Sequence, residues 1–586
     1  MKGFFLMVKD SLEKLRHSCS HIMASAVKRL FPQAKLGIGP SIENGFYYDF
    51  DIPQGLKEED LPKIEEEMEK IIKEDYPFIH EEWPKEKALK FFEEAQQDYK
   101  VELIKEIEGE KVSIYRHGDF IDLCKGPHLS STGEVKYFKL LSLAGAYWKG
   151  KEANPQLVRI YGTAFFKEED LKNFLTQLKE AKDRDHRKLG PLLRLFDIYQ
   201  DEAGAGLVFY LEKGAILRRL IEDWEIREHL KRGYNLVNTP HILENKLWKK
   251  SGHLDYYREL MYIIDEETTS YAVKPMNCPG HMLIYKSKIR SYRDLPLRIF
   301  ELGTVYRKEK SGVLHGLLRL RGFTQDDAHI FCREEELKEE IKGVLSFIKE
   351  AMEEFGFKEF KAELSTRPES FIGKEDIWGK AEAILEEVLK EKDFSFEVCK
   401  GEGAFYGPKI DIKLKDALGR TWQCATVQLD FFLPQRFELY YIDEQGEKRT
   451  PVMIHRVILG SLERFLATLI EHYKGAFPFW LSPVQIKVLS LKSSCSDYAK
   501  KVKEILDKEF RVEVDLREES LSKKIREAEL EKVPYIVVAG EKEKISQTLN
   551  VRTRGRQQLG VMKIEDFRKF LLEKERKRKE ELLGRI

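Results

Sequence analysis

Two histidines four residues apart, His17 and His21, share one face of SLEKLRHSCSHIMASAVKRL, a stretch from Ser11 to Leu30 whose apolar residues recur at helical spacing. Far downstream, FIDLCKGPHL places Cys124 and His128 around Gly126 and Pro127. Three imidazoles and a thiol have metal-ligand character, and the same groups could position a hydrolytic water without a metal. The plainer alternative is a pair of helix-surface histidines and an unrelated turn. A second set comes from three separate stretches: Cys278 in KPMNCPGHM, read as a loop, His329 in TQDDAHIF, and His455 at the end of the apolar strand PVMIH. Each alone would more often be an ordinary core Cys or His, and spacing alone favours neither reading of the set. Together, one thiolate and two imidazoles leave a fourth position open, the pattern of a substrate-binding zinc and not of a closed structural site.

A third set is charged. In RIFELGTVYRKEKSGVLHGLLRLRGFTQDDAHIFC, running from Arg298 to Cys332, a strand, a polar loop and a return strand read as an antiparallel hairpin. Alternation puts Phe323, Gln325, Asp327, His329 and Phe331 on one face of the return strand. On the outgoing strand Arg307 and Glu309 share a face, and Arg319 and Arg321 re-enter beside them. Guanidiniums converging near a carboxylate suggest a phosphate clamp with a base-reading acceptor.

Other elements must hold these groups in place. GAFYGPKID and RTWQCATVQLDF read as two more strands, on which Gln423 and Gln428 face opposite ways unless a bulge intervenes. HRVILGSLERF opens a helix with the small residues Gly460 and Ser461 and presents Arg464 one turn on, so His455 acts from before that helix. GAILRRLIEDWEIREHLKRGYNLVNTP gives an amphipathic helix, a Gly turn and a strand ending at Pro240. From Phe165 to Leu189 a strongly charged helical stretch, broken by Gly190 and Pro191, reads as a linker. After Ser482 strands and helices alternate (IKVLSL, FRVEVDL, SKKIREAEL, PYIVVAG, TLNVRTR), an α/β layout with a mainly parallel sheet. Basic residues gather near its end in VRTRGR and KERKRK.

At 586 residues the chain is too long for one core. Its 101 basic and 101 acidic side chains cancel, so net charge does not point to a nucleic-acid partner, and any such surface must be local. A Lys/Glu-rich composition of this kind is also what ion-pair-laced thermophile proteins show. Seven cysteines without a CxxC pair argue for a reducing compartment. The opening MKGFFLMVKD is too short an apolar run for a secretory signal, and no later stretch approaches a membrane span, so a soluble cytoplasmic protein is expected. No GxxxxGKS/T loop, HIGH or KMSKS occurs, so a nucleoside triphosphate would be bound by the arginines or not at all.

Arg307-Lys308-Glu309, the loop SGVLHGLLRLRGF and TQDDAHIF resemble the second signature motif of the class II aminoacyl-tRNA synthetases, in the form found in the threonyl branch. The helix from Gly214 resembles the first motif, which builds the dimer interface in that family, and HRVILGSLERF resembles the third. The resemblance implies an α+β multidomain protein: an N-terminal α+β editing domain (1–164), a linker helix (165–190), a class II catalytic domain on an antiparallel sheet (191–481) and a C-terminal α/β anticodon-binding domain (482–586). It implies ATP, L-threonine and tRNA(Thr) as partners, a homodimer and no membrane. It also implies one Zn²⁺ per catalytic domain on Cys278, His329 and His455, with Mg²⁺ accompanying ATP. Arg307 would grip the α-phosphate, Arg319 and Arg464 the γ end, and Glu309 the adenine amino group. Met276, Gln325, Asp327, Tyr406, Lys409 and Gln423 match positions near the amino acid, and Gln423 also lies near the adenylate. His17, His21, Cys124 and His128, with Tyr48, Lys100 and Asp122, match the pocket that hydrolyses serine mischarged onto tRNA. Glu543 and Arg552 match anticodon-reading positions, whereas Glu518 and Lys532 depart from the residue types expected there. Family members commonly begin with a small ubiquitin-like domain, and here the chain opens almost directly on the editing helix, so that domain is expected to be absent.

On this resemblance, the two sets of histidines and cysteines would serve one selection problem. An apolar pocket cannot strongly reject valine, an isostere of threonine, whereas a site that must ligate a hydroxyl leaves a polar vacancy when valine enters. Serine keeps both ligating groups and lacks one methyl, worth only ~1–3 kcal/mol, so a second sieve is needed. The rival readings are a seryl or prolyl relative, a synthetase-like RNA-binding regulator without catalysis, and a metalloenzyme of other chemistry.

Overall fold

The computed structural model describes residues 2–151, 153–415 and 420–583; Met1 and 584–586, the outermost ends of the first and last expected domains, lie outside them. The chain divides into two compact units, Met1–Lys179 and Glu180–Ile586. Among the described residues no helix is long and apolar enough to cross a membrane.

In the first unit the Lys2–Leu30 helix turns Leu15, Cys19, Ile22, Met23 and Ala26 into the core. They pack on an antiparallel sheet whose long strands are Gly45–Asp51, Gln156–Phe165 and Tyr137–Tyr147. A smaller antiparallel sheet, Ile79–Pro84, Lys111–His117 and Phe120–Leu123, ends one residue before Cys124. That ending brings the Cys124–His128 turn to the histidine face of the long helix.

The second unit is built on a sheet of eight strands among the described residues. Their order is Asn235–Leu236, Leu297–Tyr306, Gly322–Cys332, Val452–Val457, Thr421–Asp430, Lys409–Lys415, Phe360–Ser365 and Phe396–Cys399. The outermost pair at each edge is parallel and the six central strands are antiparallel, as expected. One face of the Gly322–Cys332 strand carries Ala328, Ile330 and Cys332 into an apolar core with the Leu337–Glu354 and Leu462–Tyr473 helices. The other carries the candidate site residues. Register aligns Ile299, His329, His455, Gln428, Lys409 and Ser365 in one row across six strands.

Several local expectations need correction. Cys278 is not in a loop: it is the first residue of the Cys278–Lys286 helix, because Pro279 sits in the first turn, where its missing N–H is no loss. The charged linker does not break at Gly190 and Pro191. The Glu168–Arg184 helix ends before Asp185, which caps a new helix, His186–Leu192, by accepting from Arg187 N at 2.8 Å, and Gly190 and Pro191 lie inside that second helix. The strand expected to end at Pro240 is only Asn235–Leu236.

The C-terminal sheet runs Val512–Asp515, Ile486–Ser490, Tyr535–Ala539, Thr548–Thr553, Gln558–Lys563; the first three are parallel and the last two antiparallel. The sheet is therefore mixed and not mainly parallel, because a hairpin through the VRTRGR turn adds a final strand. KERKRK lies on the closing Ile564–Leu583 helix, with the side chain of Lys579 outside the described set.

Candidate active site

Cys278, His329 and His455 each offer an atom within 4.8 Å of the others. His329 Nε2 and His455 Nδ1 face one another at 2.9 Å. The second nitrogen of each ring is engaged from behind. His455 Nε2 lies 2.9 Å from Asp430 Oδ2, and His329 Nδ1 lies 2.8 Å from His281 Nδ1, whose Nε2 reaches Glu301 Oε2 at 3.1 Å. Glu301 Oε1 also accepts from Lys274 Nζ at 2.9 Å and from Thr239 N at 3.0 Å. A carboxylate thus backs His455 directly and His329 through His281, which fixes the ring orientations and aims one free nitrogen of each at the same point. Burial pushes the Cys278 thiol well up, with Asp327 and Asp430 adding to it, and pushes His329 well down, helped by His455 and His281. Burial acts on Glu301 too, but hydrogen bonds from His281 and Thr239 and the Lys274 ammonium outweigh it and hold the carboxyl at about 2.

Beside this triad lie the residues expected near the amino acid. Asp327 Oδ2 accepts from Asn277 Nδ2 at 3.0 Å. Gly303, opposite Gln325 in register, makes the room: a Cβ there would lie 2.3 Å from that Asn277 nitrogen. Tyr406 donates to Gln428 Oε1 at 3.1 Å, and its ring lies 5.6 Å from that of His455. Lys409 Nζ and Gln423 Nε2 both donate to Asp411, each at 2.7 Å. The register shift between Asp411 and Lys413 is the bulge that lets Gln423 and Gln428 share a face. Met276 Sδ is 2.9 Å from His253 Nε2. The Gln325 backbone bridges to Ser461, tying the hairpin to the start of the Leu462–Tyr473 helix.

The arginines gather on the same side. The Arg307 guanidinium lies 5.2 Å from the Phe323 ring centroid, Arg319 Nη2 pairs with Glu309 Oε2 at 3.1 Å, and Arg464 Nε donates to Leu318 O at 3.3 Å. Burial pulls the Arg464 guanidinium down, and after the opposing pull of Cys424 the charges of Arg307 and Arg319 lower it further. The Arg321 guanidinium donates to the carbonyls of Glu309 and Ala205 and to the Ser311 hydroxyl.

In the first unit His17, His21, Cys124 and His128 also lie within 4.8 Å of one another. Cys124 Sγ is 3.3 Å from both His17 Nε2 and His128 Nε2. Tyr48 donates to Asp122 Oδ2 at 2.6 Å, Lys100 Nζ pairs with Asp122 Oδ1 at 2.5 Å, and Asp122 Oδ2 is 3.8 Å from His21 Nε2. Burial drives His128 down to about 2, with His17 and His117 adding, and lifts the Cys124 thiol to about 12. The pocket is therefore lined by neutral imidazoles and a protonated thiol at neutral pH. Its mouth, bounded by Asp10, Glu13, Lys14, Pro40, Ser41 and Pro127, encloses about 490 Å³.

Glu543 Oε2 accepts from Gly540 N at 3.2 Å, a local cap, and Arg552 lies on the Thr548–Thr553 strand opposite Ile536.

Sequence reasoning missed His281, Glu301, Asn277, Asp411, Asp430 and Asp326. Glu301 and Gly303 carried a usable signal, since they share strand parity with Arg307. Asp326 faces the core, where it accepts from Ile458 N at 2.5 Å, Leu459 N at 3.0 Å and Gly460 N at 2.8 Å, and so shapes the turn before the Arg464 helix.

Residues 259–473 match the family described as the tRNA synthetase class II core domain (G, H, P, S and T), residues 484–574 an anticodon binding domain, and residues 112–161 the threonyl and alanyl tRNA synthetase second additional domain. Core and anticodon-binding matches side by side define the class, a class II tRNA synthetase. Among curated relatives, Threonine--tRNA ligase of Acetivibrio thermocellus is 56% identical over 94% of this chain and 87% of its own length, and that of Oleidesulfovibrio alaskensis 54% over 95% and 86%. A crystal structure of the RNA binding domain of threonyl-tRNA synthetase from Cryptosporidium parvum superposes with a TM-score of 0.62 at 42% identity, over 66% of this chain and 96% of that one. The chain belongs to the threonine–tRNA ligase family.

Proposed function

We propose that this chain activates threonine with ATP, transfers it to tRNA(Thr), and hydrolyses serine mischarged onto the same tRNA. The observation that carries the reading is the triad at the centre of the sheet row, with each imidazole held from behind and the sulfur and nitrogens converging beside Asp327 and the arginines. One thiol and two imidazoles with supported rings fit zinc, and Cys278, His329 and His455 would hold it. When bound, the zinc would supply an open Lewis-acid position for the amino and hydroxyl groups of threonine, which valine cannot satisfy.

The protein groups do the rest. Asp327, fixed by Asn277, sits where it can accept from the substrate ammonium, and Gln325 borders it on the same face. Lys409 and Gln423, held together by Asp411, border the amino acid from the neighbouring strands, with Tyr406 and Met276 closing the walls. Arg307 faces the α-phosphate, where charge builds up as the threonine carboxylate attacks and pyrophosphate leaves. Arg319 and Arg464 hold the γ end, with Mg²⁺ brought by ATP. Glu309, paired with Arg319 before ATP binds, takes the adenine amino group when that pair opens. The exchange is cheap because the Arg319 side chain is 52% exposed.

In the first unit, His17, which lines the open pocket and has Asp122 and Glu13 opposing the effect of burial on its ring, can take a proton from water, and the Lys100–Asp122–Tyr48 network positions the pocket floor. Glu543 and Arg552 face the anticodon in this reading. The domains follow as 1–164 editing, 165–190 linker, 191–481 catalysis and 482–586 anticodon binding. A cytoplasmic homodimer joined through the Glu212–Lys231 helix completes it.

ATP–pyrophosphate exchange with threonine, serine, valine and proline, with zinc assayed in parallel, tests the proposal. Strong exchange with threonine, less with serine and almost none with valine, at about one zinc per chain, is the expected result. No exchange from folded, metal-loaded protein would sink it in favour of an RNA-binding regulator.

A further inference from the structure

The His186 ring is fully buried and takes part in none of the chemistry above. Its Nδ1 lies 2.7 Å from Glu471 Oε1, at the far end of the helix that begins beside Arg464. Its Nε2 lies 3.0 Å from the backbone N of Leu317, in the tight turn between His315 and Arg319. The two partners dictate one tautomer: a carboxylate requires N–H at Nδ1, and an amide donor requires the lone pair at Nε2. Glu471 is itself held, by Arg420 and by the His186 backbone N. The turn has been shaped around the ring. Gly316 has φ +48°, and a Cβ there would fall 2.2 Å from His186 Nε2. Leu318, two residues on, receives the Arg464 guanidinium on its carbonyl, and Arg319 follows.

We infer that His186 is a positioning residue for ATP: one imidazole, oriented by Glu471, holds the Leu317 amide and thereby sets the turn from which Arg319 and the Arg464 contact are presented to the triphosphate. The inference rests on the proposed ATP-dependent activation. His186→Asn can imitate the Nδ1 donor and His186→Gln the Nε2 acceptor, so the pair separates the loop contact from mere filling of the space.

The test combines pyrophosphate exchange with amide hydrogen exchange on the full chain. His186→Asn is expected to raise KM for ATP roughly tenfold, the worth of about one hydrogen bond, with KM for threonine unchanged, and to speed exchange at the Leu317 amide by a similar factor. His186→Gln should restore both to within about threefold of wild type. Equal behaviour of the two variants, or a rise in KM for threonine matching that for ATP, would overturn the inference. Should wild type show no pyrophosphate exchange, the activation reading falls, yet Leu317 protection still decides whether His186 holds the turn. If His186→Asn does not fold, Glu471→Ala removes the acceptor that sets the tautomer; unchanged Leu317 protection and ATP KM in that variant would equally overturn the inference.

Discussion

At the scale of single residues, each imidazole of the triad is only as well oriented as the carboxylate behind it, Asp430 for His455 and, through His281, Glu301 for His329. Arg307 and Arg464 stood out as guanidiniums beside a carboxylate and at a helix start, whereas Cys278, His329 and His455 each read as ordinary core residues and formed a set only through the family resemblance. His281, Glu301 and Asp430 were not legible, because their importance depends on which strands become neighbours. Glu301 is the most instructive. It is 1% exposed and joins His281, Thr239 and Lys274, so its loss leaves an ammonium and an imidazole without their acceptor. Glu301→Gln is expected to lower stability by ~3–5 kcal/mol, as for a broken buried ion pair, and to weaken metal retention about 10–100-fold in chelator competition. The pH dependence follows from a carboxyl held at about 2 in the fold. Its stabilisation is fully present above the unfolded value, roughly 4.3, and is lost as pH falls toward 2. The difference in Tm between wild type and Glu301→Gln should therefore shrink between pH 5 and pH 2; a constant difference would show that the charge is not what matters.

At the scale of elements, the hairpin of Leu297–Tyr306 and Gly322–Cys332 could be read directly, since alternation fixes which side chains travel together. The helix at Cys278 and the closing strand Gln558–Lys563 could not: the first hides behind a Pro and a Gly that look like loop signals, and the second lacks a strong apolar alternation. The bulge opposite Asp411 was legible only as a condition, something required if both glutamines were to face one way. The turn before the Arg464 helix is the most constrained element. Gly460 has φ +83°, a Cβ on it would lie 2.6 Å from Cys424 O, and its N–H is held by Asp326. Gly460→Ala is expected to cost about 1–3 kcal/mol in unfolding experiments and to depress kcat for pyrophosphate exchange, because the strain displaces the helix start that carries Arg464. Full activity with unchanged Tm would refute this.

At the scale of the whole molecule, two pockets of imidazoles and thiols lie in different compact units, one in Met1–Lys179 and one in Glu180–Ile586. Selection by hydroxyl ligation and rejection by hydrolysis should then fail separately. His17→Ala combined with Cys124→Ala is expected to leave pyrophosphate exchange with threonine unchanged while hydrolysis of serine-charged tRNA falls by on the order of 10²-fold or more. A parallel loss of both activities would show that the pockets are not independent. The row from Ile299 through His329, His455, Gln428 and Lys409 has one more consequence. Because side chains alternate with a period of two, adding or removing one codon within any of these strands would turn its contribution to the far side of the sheet. Descendants of this gene can vary their loops in length, but the centre of the sheet can drift only by substitution, with its reading of position frozen by geometry.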